Sequence, residues 1–250
     1  MPFSNGQRLD PSLAHRRIRF LWIGAAAMTA TAGYVNSVLL SFFETPVSHM
    51  TGAISHLGLH LVRDRGHDAW VSLSIVLGFL AGAMLAGVIV GALRLLPSRS
   101  YGVVMMVEGG LLALATALLF TKQRLGFSVV AMACGLQNAT TSSYCGLMIR
   151  TTHVTGTMTD LGMIFGHWLR HGRIEWWRFR FLSLLLLAFF AGGIAGTFAV
   201  LRLGPGCLAV AATGITLAGG AFWVTTHRGL VNLVQESSRT PPRTGAFPLS

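Results

Sequence analysis

Two short strings, Ser48-His49-Met50-Thr51-Gly52 and Thr152-His153-Val154-Thr155-Gly156, set an imidazole, a hydroxyl and a glycine in the same order within an apolar chain. Imidazole exchanges protons near neutral pH and ligates metals. The Thr-Gly step has another use. Glycine tolerates unusual backbone angles and threonine satisfies freed carbonyls, so a helix can begin or break there inside a membrane. A helix N-terminus at such a step offers free N–H groups to an anion; tight helix contact is the competing use. On a helix His49, His56 and His60 share one face, as do His153, Asp160, His167 and His171. Two such stripes opposed across a pseudo-twofold axis would enclose a polar cavity. Three uses stand open for them: hydrogen bonding between helices or at headgroup level, a path for solute or protons, and a metal site. The metal site has the least support, because residues seven apart lie about 10 Å apart along one helix and cannot share an ion.

Other polar residues interrupt the apolar runs. Asn36, Gln137 and Asn138 carry amides that lipid would leave unsatisfied, so they should face inward, holding either another helix or a solute. Glu108 stands alone in its run, seven residues from the start, where a shallow position, a partner or a bound proton would each relieve its charge. The residues expected to bind a solute are therefore Asn36, His49, Thr51, Gly52, Gln137, Asn138, His153, Thr155 and Gly156. His56, Glu108 and Asp160 are the candidates for proton or ion coupling. No phosphate-binding loop, dinucleotide fingerprint, nucleophile elbow or compact Cys/His cluster is present, so no catalytic residue, metal ligand or cofactor is assigned.

The elements that must position these residues are membrane helices. Charged residues make up 11% of the 250 residues, against roughly 25% in an average soluble domain. Apolar runs cover 20 to 43, 70 to 93, 101 to 120, 127 to 149, 181 to 201 and 205 to 224, each near the roughly 20 residues that cross a bilayer as a helix. The net charge of +11 sits between the runs, where it suits anionic headgroups better than nucleic acid. The three cysteines, Cys134, Cys145 and Cys207, lie inside runs and have no disulfide or zinc spacing. The run after Arg19 is too long for a signal peptide and reads as a retained span.

The two polar strings belong to a longer duplication. Gly33-Tyr34-Val35-Asn36-Ser37 answers Gly135-Leu136-Gln137-Asn138-Ala139, Leu57-Gly58 answers Leu161-Gly162, Phe79-Leu80-Ala81-Gly82 answers Phe189-Phe190-Ala191-Gly192, and Pro97 answers Pro205. The expected fold is all-α: a polytopic bundle of six main spans as two three-span repeats, each with an extra short polar helix after its first span. Three spans per half invert the second copy relative to the first. The expected segments are a basic cytoplasmic stretch over 1–19, the repeats over 20–121 and 122–226, and a disordered cytoplasmic tail over 227–250. With both termini in the cytoplasm, the only Lys/Arg outside are Arg63, Arg65, Lys122, Arg124 and Arg202, of 19 in all. If residues 47 to 62 and 153 to 169 also cross, there are eight spans and the repeats become parallel. Gly78, Gly82, Gly87 and Gly91 in span two, and Gly192 and Gly196 in span five, form small-residue faces suited to packing against each other or across a homo-oligomer interface.

Gly33-Tyr34-Val35-Asn36, Ser48-His49-Met50-Thr51-Gly52, and above all Gly135-Leu136-Gln137-Asn138 with Arg150-Thr151-Thr152-His153-Val154-Thr155-Gly156-Thr157, resemble the YoaK family of bacterial membrane proteins. The resemblance runs from about residue 20 to 225 and implies a six-span protein of the bacterial inner membrane, in a family of unknown function. Relatives often carry Asn at the positions of His49 and Ala53, which weighs against a mechanism that requires that histidine. Taken together, the residues point to a small secondary transporter or permease for a small solute. A membrane-embedded metal-dependent enzyme using the His/Asp stripes, and a non-catalytic scaffold, are the alternatives.

Overall fold

The computed structural model describes residues 11–43, 47–90, 99–142 and 152–239. These form eight α-helices: α1 (Pro11–Phe43), α2 (Met50–Val62), α3 (Gly66–Val90), α4 (Arg99–Phe120), α5 (Leu125–Ser142), α6 (Val154–His171), α7 (Trp176–Leu203) and α8 (Cys207–Arg239). A single 3-10 turn, Gly204–Gly206, joins the last two, and the described residues contain no strand. Helical backbone thus reaches beyond the apolar runs at both ends of the chain.

Five helices, α1, α3, α4, α7 and α8, are long and apolar enough to cross a bilayer. The sixth expected span, α5, is not among them. Its first half is apolar, but Gln137, Asn138, Thr140, Thr141 and Ser142 make the second half too polar to face lipid. The bundle answers by enclosing it: Val130, Ala131, Ala133, Cys134, Leu136, Gln137, Thr140 and Thr141 are all buried, and α5 lies against both α3 and α4. Outward positions of other helices are apolar instead, with Val88 of α3 81% and Leu201 of α7 76% exposed. An apolar outside around a partly polar inside is the distribution a lipid environment selects.

Backbone meets backbone where the main helices cross. The glycines of α3 receive carbonyls of α5, Gly78 that of Ser128 and Gly82 that of Met132, while Gly135 of α5 receives Phe79 of α3. On the other side Gly33 of α1 receives Phe189 of α7, and Gly192 and Gly196 of α7 receive Ala30 and Tyr34 of α1. Equal spacing along both members shows that each pair runs in one direction. Helices α4 and α8 run oppositely: a methyl group at Gly102 would lie 2.8 Å from the Gly219 carbonyl oxygen, one at Gly219 would lie 2.8 Å from that of Gly102, and Gly109 faces Ala212. The glycine faces of spans two and five therefore do not meet each other, and Gly78, Gly82, Gly192 and Gly196 are not free for a homo-oligomer. They are filled within the chain, by α5 and α1. Gly87 faces open space, and Gly91 lies outside the described residues.

Two of the connections are closed without glycine. Asp64 after α2 and Lys122 after α4 take positive φ (53° and 57°). The N–H groups that follow return to the helix, Arg65 to His60 at 2.9 Å and Gln123 to Leu118 at 2.9 Å, which caps orphan carbonyls in the Schellman manner.

Candidate functional site

The first polar string lies beside α1 rather than beyond its end. Helix α1 runs on to Phe43, yet Ser48 Oγ donates to Asn36 Oδ1 at 2.6 Å. Asn36 is seven residues, about 10 Å of helix, before that end. The chain must double back by this distance before α2 begins. His49 is the N-cap residue of α2, and its Nδ1 lies 3.0 Å from Ser48 Oγ. Asn36, Ser48 and His49 thus form one connected cluster with Asn36 and Ser48 buried. Thr51 is exposed and Gly52 half-buried in the first turn. At 13 residues α2 spans about 20 Å, short of the roughly 30 Å hydrocarbon core.

Burial lowers the basicity of the half-buried His49 imidazole below the ordinary histidine range. A histidine whose folded value is depressed contributes stability above the unfolded value, near 6.5, and loses it as pH falls. Wild type should therefore lose more thermal stability than His49→Gln between about pH 7.5 and about pH 5.5, read as the difference in melting temperature.

The second string is built alike but is more open. His153 is the N-cap residue of α6 and is exposed. Its imidazole lies over Gly156, in the space a Cβ there would take. Thr155 is exposed as well. Helix α6 rests on α7 through Phe165 and Phe179, 5.3 Å apart edge to face, and through Asp160, which pairs with Arg178 at 3.6 Å. Of the paired amides, Gln137 donates from Nε2 to the Met28 carbonyl at 3.1 Å and so ties α5 to α1. Asn138, next to it, is half-buried.

The two histidine stripes do not form one cavity wall. Helix α2 lies on α3 and α6 on α7, without substantial contact between α2 and α6. The rings of His56 and His60 lie 5.6 Å apart and tilted, and those of His167 and His171 lie 6.2 Å apart edge to face, on separate helices. Among the described residues no group of three His, Cys, Asp or Glu is placed to hold a metal ion.

Glu108 is deeper than its distance from the start of the apolar run suggests. Helix α4 begins at Arg99, so Glu108 falls near its middle, and it is only 3% exposed. No ion-pair partner meets it among the described residues.

A cavity of about 720 Å³ opens at the end of the bundle where α2 meets α3 and α4 meets α5. His56, His60, Arg65, Asp68, Ser72, Lys122, Gln123 and Arg124 line it, with Ser41 and Phe42 from the end of α1. His60 Nδ1 lies 3.4 Å from Ser72 Oγ. Arg124 is held at 3.4 Å from Asp68 and 3.0 Å from His67 Nδ1. Sequence reasoning took these arginines and Lys122 only as markers of orientation. The signal that distinguishes them is their gathering in the two short connections that follow α2 and α4.

A family model described as "Protein of unknown function (DUF1275)" matches residues 24–221. The chain belongs to this family. The DUF1275 match begins inside α1, ends inside α8 and includes both polar strings. No curated protein and no solved structure matches the chain.

In this DUF1275 chain the Asn36–Ser48 hydrogen bond is what ties the returning segment to α1. Asn36→Ala and Ser48→Ala should each cost about 1–2 kcal/mol, since a buried group loses its partner, and the double variant should cost less than the sum. Chemical or thermal unfolding of the four proteins in one detergent reads the coupling. Strict additivity would mean that the hydrogen bond carries no stability.

Proposed function

We propose that this DUF1275 chain is a small secondary transporter or channel-like permease for a small solute, in the bacterial inner membrane with both termini in the cytoplasm. The observation that carries the reading is the returning segment: a chain that doubles back so that α2 begins after His49 beside α1, two turns before that helix ends, with Asn36 and Ser48 buried between them. Non-helical backbone at membrane depth is tolerated where protein or a water-filled cavity surrounds it, and transporters bind solute at such breaks.

Two further observations support six spans in a 3+3 inverted repeat, with α5 as the enclosed sixth span. First, α3 on α5 is answered by α7 on α1, and the residues at the two crossings correspond: Gly82 to Gly192, Phe79 to Phe189, Gly33 to Gly135. Second, exposed Trp176 and Trp177 with Arg178 and Arg180, whose guanidinium lies 5.7 Å over the Trp176 ring, form an interfacial belt where α7 begins. That is the end the charge bias assigns to the cytoplasm.

On this reading Asn36, His49, Thr51 and Gly52 line the solute path from one side, and Gln137, Asn138, His153, Thr155 and Gly156 from the other. Glu108 is the favoured coupling group, because Asp160 is engaged by Arg178 at the surface. His56 belongs to the mouth of the path.

A ligand-library thermal-shift screen on the detergent-purified protein tests the proposal. A solute should raise the melting temperature of wild type, and His49→Ala should weaken that stabilisation at least tenfold in ligand concentration, with a smaller loss in His153→Ala. Stabilisation untouched by both variants would remove the histidines from the path. Stoichiometric zinc or manganese in the purified protein would instead favour the enzyme reading.

A further inference from the structure

The cavity beside α2 has a charge character that its position in the membrane does not explain. Arg65, Lys122 and Arg124 all line it, and they are three of only five cations on the side the proposed orientation makes external. Orientation pressure removes Lys and Arg from that side, so their gathering around one opening calls for another cause. The opposing charge is Asp68 alone among the lining residues, and Arg124 engages it at 3.4 Å. Arg65 and Lys122 have no ion-pair partner among the described residues. Both are fixed by the turns: Lys122 by its left-handed backbone, Arg65 by its N–H bond to the end of α2.

From this opening the polar face of α2 leads inward. His60 and His56 line the cavity in succession, and the same face carries His49 at the start of the helix, in contact with Ser48 and through it with Asn36. The floor reaches Ser41 and Phe42, on the last turns of α1 above Asn36. Beyond the basic opening, α2 thus presents a succession of hydrogen-bonding groups without a carboxylate among them.

We propose that this cavity is the mouth through which the protein admits a small soluble oxyanion, a carboxylate or an inorganic phosphate or sulfate. Lys122 and Arg65 draw it in, Arg124 is held in place by Asp68 and His67, and His60 and His56 pass it toward Asn36 and His49. Two unbalanced cations within low-dielectric walls concentrate anions and repel cations. The inference deepens the permease reading by naming its solute class, and it rests on that reading only for the inward route.

The test reads the field directly and needs no known solute. Gln123, exposed and within the lining, is changed by Gln123→Cys in the full chain carrying Cys145→Ser; Cys134 and Cys207 are buried, and the same chain without Q123C gives the background. Rates are measured with a sulfonate-bearing and a trimethylammonium-bearing thiosulfonate in phosphatidylcholine vesicles, each relative to 2-mercaptoethanol. The anionic reagent should be favoured by about tenfold or more, as two unit charges at such range imply after screening. Lys122→Gln with Arg65→Gln should return the ratio to near one, and Lys122→Glu with Arg65→Glu should reverse it. Millimolar succinate or phosphate should slow both reagents. A ratio near one in the starting protein overturns the inference, as does failure of succinate, phosphate and sulfate all to protect. Protection that appears only when phosphatidylglycerol is added assigns the site to a lipid headgroup and overturns it too. Flux of the protecting anion into proteoliposomes is read separately: an anion that protects but does not cross leaves the mouth standing and removes the permease reading.

Discussion

Gly82→Leu and Gly192→Leu should each leave little or no monodisperse protein, whereas Gly87→Leu should behave as wild type. All three lie on long apolar helices, and hydropathy scarcely distinguishes them. What differs is the neighbour. At Gly82 the space a Cβ would take holds the carbonyl of Met132, and at Gly192 that of Ala30. Both are main-chain atoms in the middle of a helix and cannot rotate aside. Inserting bulk into a filled core costs about 1–3 kcal/mol when side chains can yield, and more when they cannot. In a membrane bundle close backbone approach supplies much of the attraction between helices, so separating the pair forfeits dispersion along the crossing as well. Gly87 has nothing within reach. Size-exclusion profiles and melting curves of the three variants in one detergent decide the matter, with alanine at each position as an intermediate step. A Gly82→Leu protein that melts within about 2 °C of wild type would place α3 and α5 farther apart than described.

Glu108→Gln should fold as well as wild type and lose proton-linked transport by at least about a hundredfold, while Glu108→Lys should fail to accumulate. The carboxyl is 3% exposed near the middle of α4, with α5 on one side and α8 on the other. A charged group at such a position costs about 2.5–3.5 kcal/mol on insertion scales when nothing pairs with it. Glutamine keeps the shape and hydrogen-bonding capacity without that cost, so the bundle has no reason to loosen. It cannot take up or release a proton, and that difference isolates the chemical role from the structural one. Lysine brings a charge and a longer side chain into the same place. Internal pH recorded in proteoliposomes, once a transported solute is found, separates the variants. Coupling unchanged in Glu108→Gln would make Glu108 a packing residue and shift attention to His49.

Much of this arrangement can be read along the chain, and the limits of that reading have physical causes. The two polar strings and the amides Asn36 and Gln137 stand out because amides and imidazoles are costly in lipid, so their positions are informative without a structure. The spans follow from hydropathy in five cases. The run over 127 to 149 reads as a sixth, yet α5 falls short of that hydropathy, because the polar residues of its second half meet protein instead of lipid. The partner of a glycine face is likewise hidden: Gly78 and Gly82 advertise a close neighbour but carry no mark of which one. The return of Ser48 to Asn36 was within reach, since a serine and an asparagine flank the end of span one. Its geometry depends on a turn whose chain direction no periodicity records. For Glu108 the sequence leaves a shallow position, a partner and a bound proton open, and a count from the edge of the apolar run does not reveal that the side chain is buried in the bundle.

The crossing of the halves also bears on how the protein is made. Helix α1 finds its main neighbour in α7, and Gly33 and Phe189 are separated by most of the chain. Helix α3 likewise waits for α5. As the chain leaves the ribosome, the first four helices enter the membrane with both glycine faces touching only lipid or the insertion machinery. They can be threaded early, but they cannot lock. Assembly must then come late, in one step, after the second half has arrived. A chain interrupted between α4 and α5 would be two loose hairpins awaiting a second fragment, and supplying residues 122–250 as a separate polypeptide should complete the bundle.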